Sequence, residues 1–137
     1  MKFDQDYHDQ LARKMYDKMF HFKFLPPGRG LWAMGTKLTD DIELYAALNN
    51  CAFVSTKETD VDKFIDSFTF LMDSSMIGVG VGFDTKGEKL HKIHHPVASK
   101  KVKHVIPDTR EGWVESIRFL LESYLKPNKP EIEFDYS

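Results

Sequence analysis

Apolar residues recur every four positions at the start of the chain, at Phe3, Tyr7, Leu11, Met15 and Met19, with charged and polar residues between them. Residues four apart share a helix face, so the spacing predicts an amphipathic helix to about Phe22 whose stripe packs into a core. Pro26-Pro27 ends it, because proline lacks a backbone donor and restricts the residue before it. Gly28-Arg29-Gly30 then makes a flexible turn into Leu31-Trp32. Asp40 or Asp41 caps a short helix through Leu48, with Glu43 placed to complete a capping box from Asp40. A firmer helix covers about 60–75: Thr59 or Asp60 caps it, and Val61, Phe64, Ile65, Phe68, Leu71 and Met72 form one broad apolar face. A third starts at Asp108, takes Glu111 as its box partner, buries Trp113, Ile117, Leu120, Leu121 and Tyr124, and stops before Pro127. Strands are predicted at 52–55, 79–83 and 132–134. The order is mixed α and β, without repeats.

Composition narrows the class. A chain of 137 residues, 42% hydrophobic and 29% charged, suffices for one domain with a packed core and lies outside the regime of disordered chains. A net charge of −2 supplies no general attraction to nucleic acid or to an anionic membrane. The longest apolar stretches fall well short of the ~20 residues of a membrane span, and no signal peptide opens the sequence. A soluble, cytoplasmic protein is expected, and a single cysteine suits a reducing compartment. Charge is nevertheless uneven. Six lysines and four histidines lie between Lys86 and His104, a tract that reads as a solvated basic loop able to meet an anion such as phosphate.

Several constellations invite chemistry. The run Gly78-Val79-Gly80-Val81-Gly82-Phe83 fails the dinucleotide-binding spacing, which would need glycine at position 83 and a preceding strand. It reads instead as a strand whose glycines share one face and leave the backbone bare for a ligand or another chain segment, or as a glycine-rich turn used only for packing. His91, His94 and His95 with His104 are metal-competent imidazoles whose spacing matches no closed ligand set; a basic loop explains them as well. Arg29, between two glycines, can present a guanidinium to a carboxylate or phosphate, or form a structural ion pair. Arg110 in the first turn of a helix opposes the macrodipole and calls for a specific partner, with Glu111 and Asp108 at hand. Cys51 cannot form an internal disulfide, and local chemistry alone favours an inert buried thiol.

Four ordered blocks change that balance. Residues 24–36, containing Pro26-Pro27-Gly28-Arg29-Gly30, then Leu48-Asn49-Asn50-Cys51-Ala52-Phe53, then 71–83 with its three glycines, and Ile106-Pro107-Asp108-Thr109-Arg110-Glu111-Gly112-Trp113-Val114 together resemble the adenosylcobalamin-dependent ribonucleoside-triphosphate reductases. The closing Phe134-Asp135-Tyr136-Ser137 is also similar to that family. The resemblance implies an α/β fold, part of a ten-stranded α/β barrel, with a helical lead-in over 1–25 and the start of the barrel over 26–137 as a single fragment. It implies reduction of ribonucleoside triphosphates to 2′-deoxyribonucleoside triphosphates by thiyl-radical chemistry with adenosylcobalamin as cofactor. A cysteine pair reduces the 2′ position and is reset by a thioredoxin-like reductant. Cys51 matches the first cysteine of that pair, as reductant and proton donor to the departing hydroxyl. Asn50, Gly80, Gly82 and Arg29 are then substrate-binding. The radical cysteine and the second redox cysteine have no counterpart here, so a complementing C-terminal segment is an expected partner, and the chain alone is expected to be inactive. The tract 85–105 is shorter than in family members that carry effector-linked material there. The competing expectation is a catalytically silent nucleotide-binding or interaction module on the same fold.

Overall fold

A computed structural model describes residues 4–137, so Phe3, the first position of the predicted stripe, lies outside the described residues. The chain divides into two compact units, Met1–Glu43 and Leu44–Ser137.

The first unit is helical. Helix α1 (Gln5–Phe20) starts where the Asp4 carboxylate accepts the Tyr7 backbone N–H, satisfying one of the orphan donors of a first turn. It ends at Phe20, ahead of the prolines. Phe22 takes a left-handed φ of 54°, and the Lys23 N–H returns to the Lys18 carbonyl at 2.9 Å, a closure that ends a helix without proline. The stripe predicted as core is not enclosed: α1 contains no buried residue, and Tyr7, Leu11 and Met15 are exposed.

Helix α2 (Gly28–Ala33) occupies the predicted flexible turn, with Pro27 as its N-cap. A proline suits the start of a helix, because its fixed φ is compatible with it and its missing N–H is not needed there. Gly35, at φ 73°, turns the chain into α3 (Lys37–Asp40), capped by Thr36 rather than by an aspartate. The helix predicted from a cap at Asp40 or Asp41 through Leu48 does not form: α3 ends at Asp40, where it was expected to begin, and only a 3₁₀ turn at Tyr45–Leu48 follows. Between them Glu43 has φ 55°, a left-handed conformation that a continuous right-handed helix excludes.

The second unit holds two successive strand–helix–strand modules. Strand β1 (Cys51–Val54), helix α4 (Val61–Met76) and strand β2 (Gly80–Phe83) form the first, with β1 and β2 parallel. Strand β3 (Val97–Val105), helix α5 (Arg110–Leu125) and strand β4 (Pro130–Asp135) form the second, again parallel. The two sheets have two strands each. Parallel neighbours need a crossover of a dozen or more residues, and a helix supplies it each time. The observed architecture is therefore mixed α/β with small parallel sheets.

Asp60 caps α4 by accepting the Asp62 and Lys63 N–H groups, as its sequence predicts. Helix α5 is capped by Thr109, whose hydroxyl accepts the Gly112 N–H at 3.0 Å, one residue beyond the predicted Asp108 cap. Glu111 therefore sits one position short of a box and instead pairs with Arg110. The two helices run antiparallel, as a ladder of ion pairs shows: Asp73 with Arg110, Asp66 with Arg118 and Asp62 with Lys126. Each rung is partly exposed and worth little alone, but the order of partners fixes the helix register.

Small side chains occupy the tightest places. Ser67, Thr69 and Ser74 are buried on α4, and Gly112, Ser116 and Ser123 on α5, whereas Leu120 and Tyr124 remain exposed. Ile65 is fully buried.

Strand β3 fills much of the tract expected to be a solvated loop. Seven of its nine positions are exposed, and two of its three lysines are neutralised from the neighbouring strand: Lys101 pairs with Glu133 at 2.9 Å and Lys103 with Asp135 at 2.7 Å. The Lys103 ammonium, with the Ser137 N–H, holds the Asp135 carboxyl down to about 2.

Candidate functional site

Asn49 closes the 3₁₀ turn, its backbone N–H donating to Ala46. The chain then enters β1 through Asn50, whose carbonyl accepts the Gly80 N–H at 3.0 Å. Cys51 lies opposite Gly80 and Phe53 opposite Gly82 in the parallel ladder. Cys51 and Phe53 are exposed, while Ala52 and Val54 are half-buried, so alternation along the strand sends the thiol and the Phe53 ring to the open face. Gly80 and Gly82 are exposed on that face.

The glycine run separates by role. Gly78, at φ 81°, makes the left-handed turn after α4, and Val79 is buried beneath it. A Cβ on Gly80 would meet only the Asn50 carbonyl at 3.7 Å, and one on Gly82 the Phe53 ring at 3.4 Å. Neither glycine is required by packing. They leave a bare strip of backbone beside the Cys51 thiol.

The far end of the strand pair is clasped by Asp84. Its carboxylate accepts the Thr56 N–H at 2.9 Å and the Ser55 hydroxyl at 2.8 Å, and the Thr56 hydroxyl lies 2.9 Å from it. That hydroxyl also accepts the Gly87 N–H at 3.0 Å. The Thr56 N–H, reinforced by the Ser55 and Thr56 hydroxyls, lowers the Asp84 pKa to about 2. This clasp fixes the register that sets Cys51 beside Gly80. A carboxylate directly after a strand, 28 positions from Thr56, carries no local signal in the sequence.

Because the folded-state pKa values of Asp84 and Asp135 lie below the ordinary 3.8, their stabilisation is complete above about pH 4 and disappears as pH falls towards 2. Melting temperature is expected to drop across that window and to stay level from pH 5 to 7. Asp84→Asn is expected to flatten part of the drop, and an unchanged acid limb in that variant would remove the clasp from the account.

The other predicted residues lie elsewhere. Arg29 belongs to the first unit, on α2, whereas Asn50, Cys51, Gly80 and Gly82 meet in the second. Arg110 donates to Asp73 as well as to Glu111, both at 2.7 Å. The histidines disperse: His91 donates to the Glu58 carbonyl at 2.7 Å and stacks on Phe64, while His104 packs against Phe119 and Phe134. Among the described residues no group of three or more His, Cys, Asp or Glu side chains is placed to hold a metal ion. No helix among them is long and apolar enough to cross a membrane.

A reductase from Dictyostelium discoideum, a probable adenosylcobalamin-dependent ribonucleoside-triphosphate reductase, is 46% identical over 155 positions, covering all of this chain and 20% of the relative. The adenosylcobalamin-dependent ribonucleoside-triphosphate reductase of Euglena gracilis is 48% identical over 127 positions, covering 92% of the chain and 17% of the relative. This chain is homologous to those reductases. The family model of the ribonucleotide reductase alpha domain matches residues 1–36. The reductase of Lactobacillus helveticus is 27% identical over 183 positions that take in 93% of the chain and 24% of the relative; that alignment exceeds the length of the chain, so the Lactobacillus reductase has residues without a counterpart here. The chain spans about a fifth of the length of the curated reductases it matches. No solved structure matches it.

The homologous reductases depend on adenosylcobalamin by name. The residues described here do not by themselves fit that cofactor. Three of the pockets among the described residues hold about 180, 250 and 370 Å³, each too small for a corrinoid.

Proposed function

We propose that this chain forms the part of a ribonucleoside-triphosphate reductase that carries one cysteine of the reducing pair and a glycine-lined substrate wall, on the opening strands of an α/β barrel. The observation that carries the proposal is the placement of an exposed thiol, Cys51, beside the bare backbone of Gly80 and Gly82, in a chain 46–48% identical to such reductases.

In this scheme the triphosphate's ribose lies over Gly80 and Gly82, where the missing side chains let the sugar approach the sheet. Asn50, at the entry to the same strand, contacts the substrate, and Arg29 is carried as a substrate-binding residue by the family resemblance alone. Cys51 donates a proton to the departing 2′-hydroxyl, which leaves as water, and a C2′–H bond replaces C2′–O. The two electrons come from Cys51 and a second cysteine outside this chain: both S–H bonds break and one S–S bond forms. A thioredoxin-like dithiol resets the pair. The thiyl radical that initiates the reaction resides on a cysteine of a complementing C-terminal segment.

The test is a chimera in which this chain replaces the matching segment of the Euglena gracilis reductase. It is expected to form deoxyribonucleoside triphosphates with adenosylcobalamin and a dithiol, whereas the isolated chain forms none. A folded chimera that binds nucleotide without reducing it would favour a silent nucleotide-binding module.

The substrate wall has its own test. Gly80→Val is expected to fold normally, since its Cβ meets only the Asn50 carbonyl at 3.7 Å and exposed substitutions stay within about 0.5 kcal/mol. In the chimera it should raise the Michaelis constant for the triphosphate at least about tenfold. An unchanged constant would remove Gly80 from the substrate wall.

A further inference from the structure

We propose that Phe53 is the platform on which the base of the substrate stacks, and that it thereby positions the ribose over Gly80 and Gly82. The inference rests on the reductase reading and gives a role to a ring that the scheme above leaves unused.

Phe53 lies two positions after Cys51 on β1 and shares its open face. At about 3.3 Å per residue it stands about 6.6 Å along the strand from Cys51. Its partner in the ladder is Gly82, and the ring leans across towards that strand: a Cβ on Gly82 would meet Phe53 Cδ2 at 3.4 Å. Glycine offers no side chain to cover the ring, and Phe53 is 65% exposed. Other rings of the unit are taken up in packing. Phe64 meets Phe68 and His91, and His104 meets Phe119 and Phe134.

The chemistry of a ribonucleoside triphosphate decides which part of it meets the ring. The base is carried by C1′, the neighbour of the C2′ at which Cys51 acts, whereas the phosphates leave from C5′. An anionic phosphate chain would lose hydration against a ring that offers no hydrogen-bond donor. A base presents a flat π face, and stacking on an aromatic side chain is worth about five- to 150-fold in affinity whichever base it is. With C2′ at the thiol, a base on the adjacent carbon comes within reach of a ring one strand repeat away.

The test uses the Euglena gracilis chimera without reductant. Protection of the Cys51 thiol from iodoacetamide, followed by mass spectrometry of the peptide that carries it, reads occupancy of this site alone. The ligands are the four ribonucleoside triphosphates and ribose 5-triphosphate, which lacks the base. Phe53→Ala is expected to weaken all four nucleotides at least about fivefold and to leave ribose 5-triphosphate within about twofold. Phe53→Leu keeps an apolar cover over Gly82 without the flat face and should lose nucleotide affinity in the same way. Phe53→Trp, with a larger face, should bind the nucleotides at least as tightly as the parent, and melting curves check that each variant folds. Unchanged nucleotide affinity in Phe53→Ala, an equal loss for ribose 5-triphosphate, or parental affinity in Phe53→Leu would each overturn the proposal. The two readings fail separately. A chimera that turns over while Phe53→Ala binds all four nucleotides normally removes the platform and keeps the reductase assignment. One that shows the base-dependent loss but forms no deoxyribonucleotide keeps the platform and removes the reductase chemistry.

Discussion

In the chimeric reductase, Cys51→Ala is expected to abolish deoxyribonucleotide formation, by at least about a thousandfold, while nucleotide binding and melting temperature stay near those of the parent. The scale is that seen when a group acting in the chemical step is removed. Stability should hold because the side chain is exposed and leaves no cavity, so the change belongs with surface substitutions worth no more than about 0.5 kcal/mol. Loss of turnover then reports chemistry rather than unfolding. Cys51→Ser sharpens the result: a hydroxyl keeps the size but cannot enter a disulfide, and the serine variant should be as inactive as the alanine one. Deoxyribonucleotide formation that survives either substitution would end the role assigned to Cys51.

Gly87→Ala is expected to destabilise the Leu44–Ser137 unit strongly. An added Cβ would collide with the Thr56 carbonyl oxygen and stand 2.6 Å from the Phe64 ring. The first neighbour is backbone, held through the Thr56 N–H by Asp84 and at the carbonyl by the Glu58 N–H, and the second packs against the His91 ring, so neither can easily withdraw. Overpacking of this kind costs about 3 kcal/mol, a large share of the stability of a small domain, and should lower the melting temperature on the order of 15 °C. The same clash displaces Thr56 and with it the strand register at Cys51, so the chimera carrying Gly87→Ala should lose activity as well. A variant melting within about 2 °C of the parent would show that the loop at Gly87 is not packed as described.

Legibility followed the range of the interactions. The Asp60 cap and the apolar face of α4 are local patterns, readable because capping and helical spacing act within a few residues. The open face shared by Gly80 and Gly82 is legible too, since strand alternation has a period of two. Strand β3 was hidden because its lysines read as solvated; the carboxylates that neutralise two of them, Glu133 and Asp135, lie some thirty residues on. The failure of the helix predicted up to Leu48 was hidden as well, since it turns on one left-handed residue, Glu43, of a type that does not signal that conformation.

By itself, then, the sequence determined the helices α4 and α5, the glycine-bearing strand and, through its four ordered blocks, the resemblance that gives Cys51 its assigned role. Tertiary structure alone decided that Cys51 stands opposite Gly80 and that Asp84 locks that register. Local patterns are written within one or two turns of chain. Register, neutralisation of charge and enclosure of space depend on residues that only folding brings together.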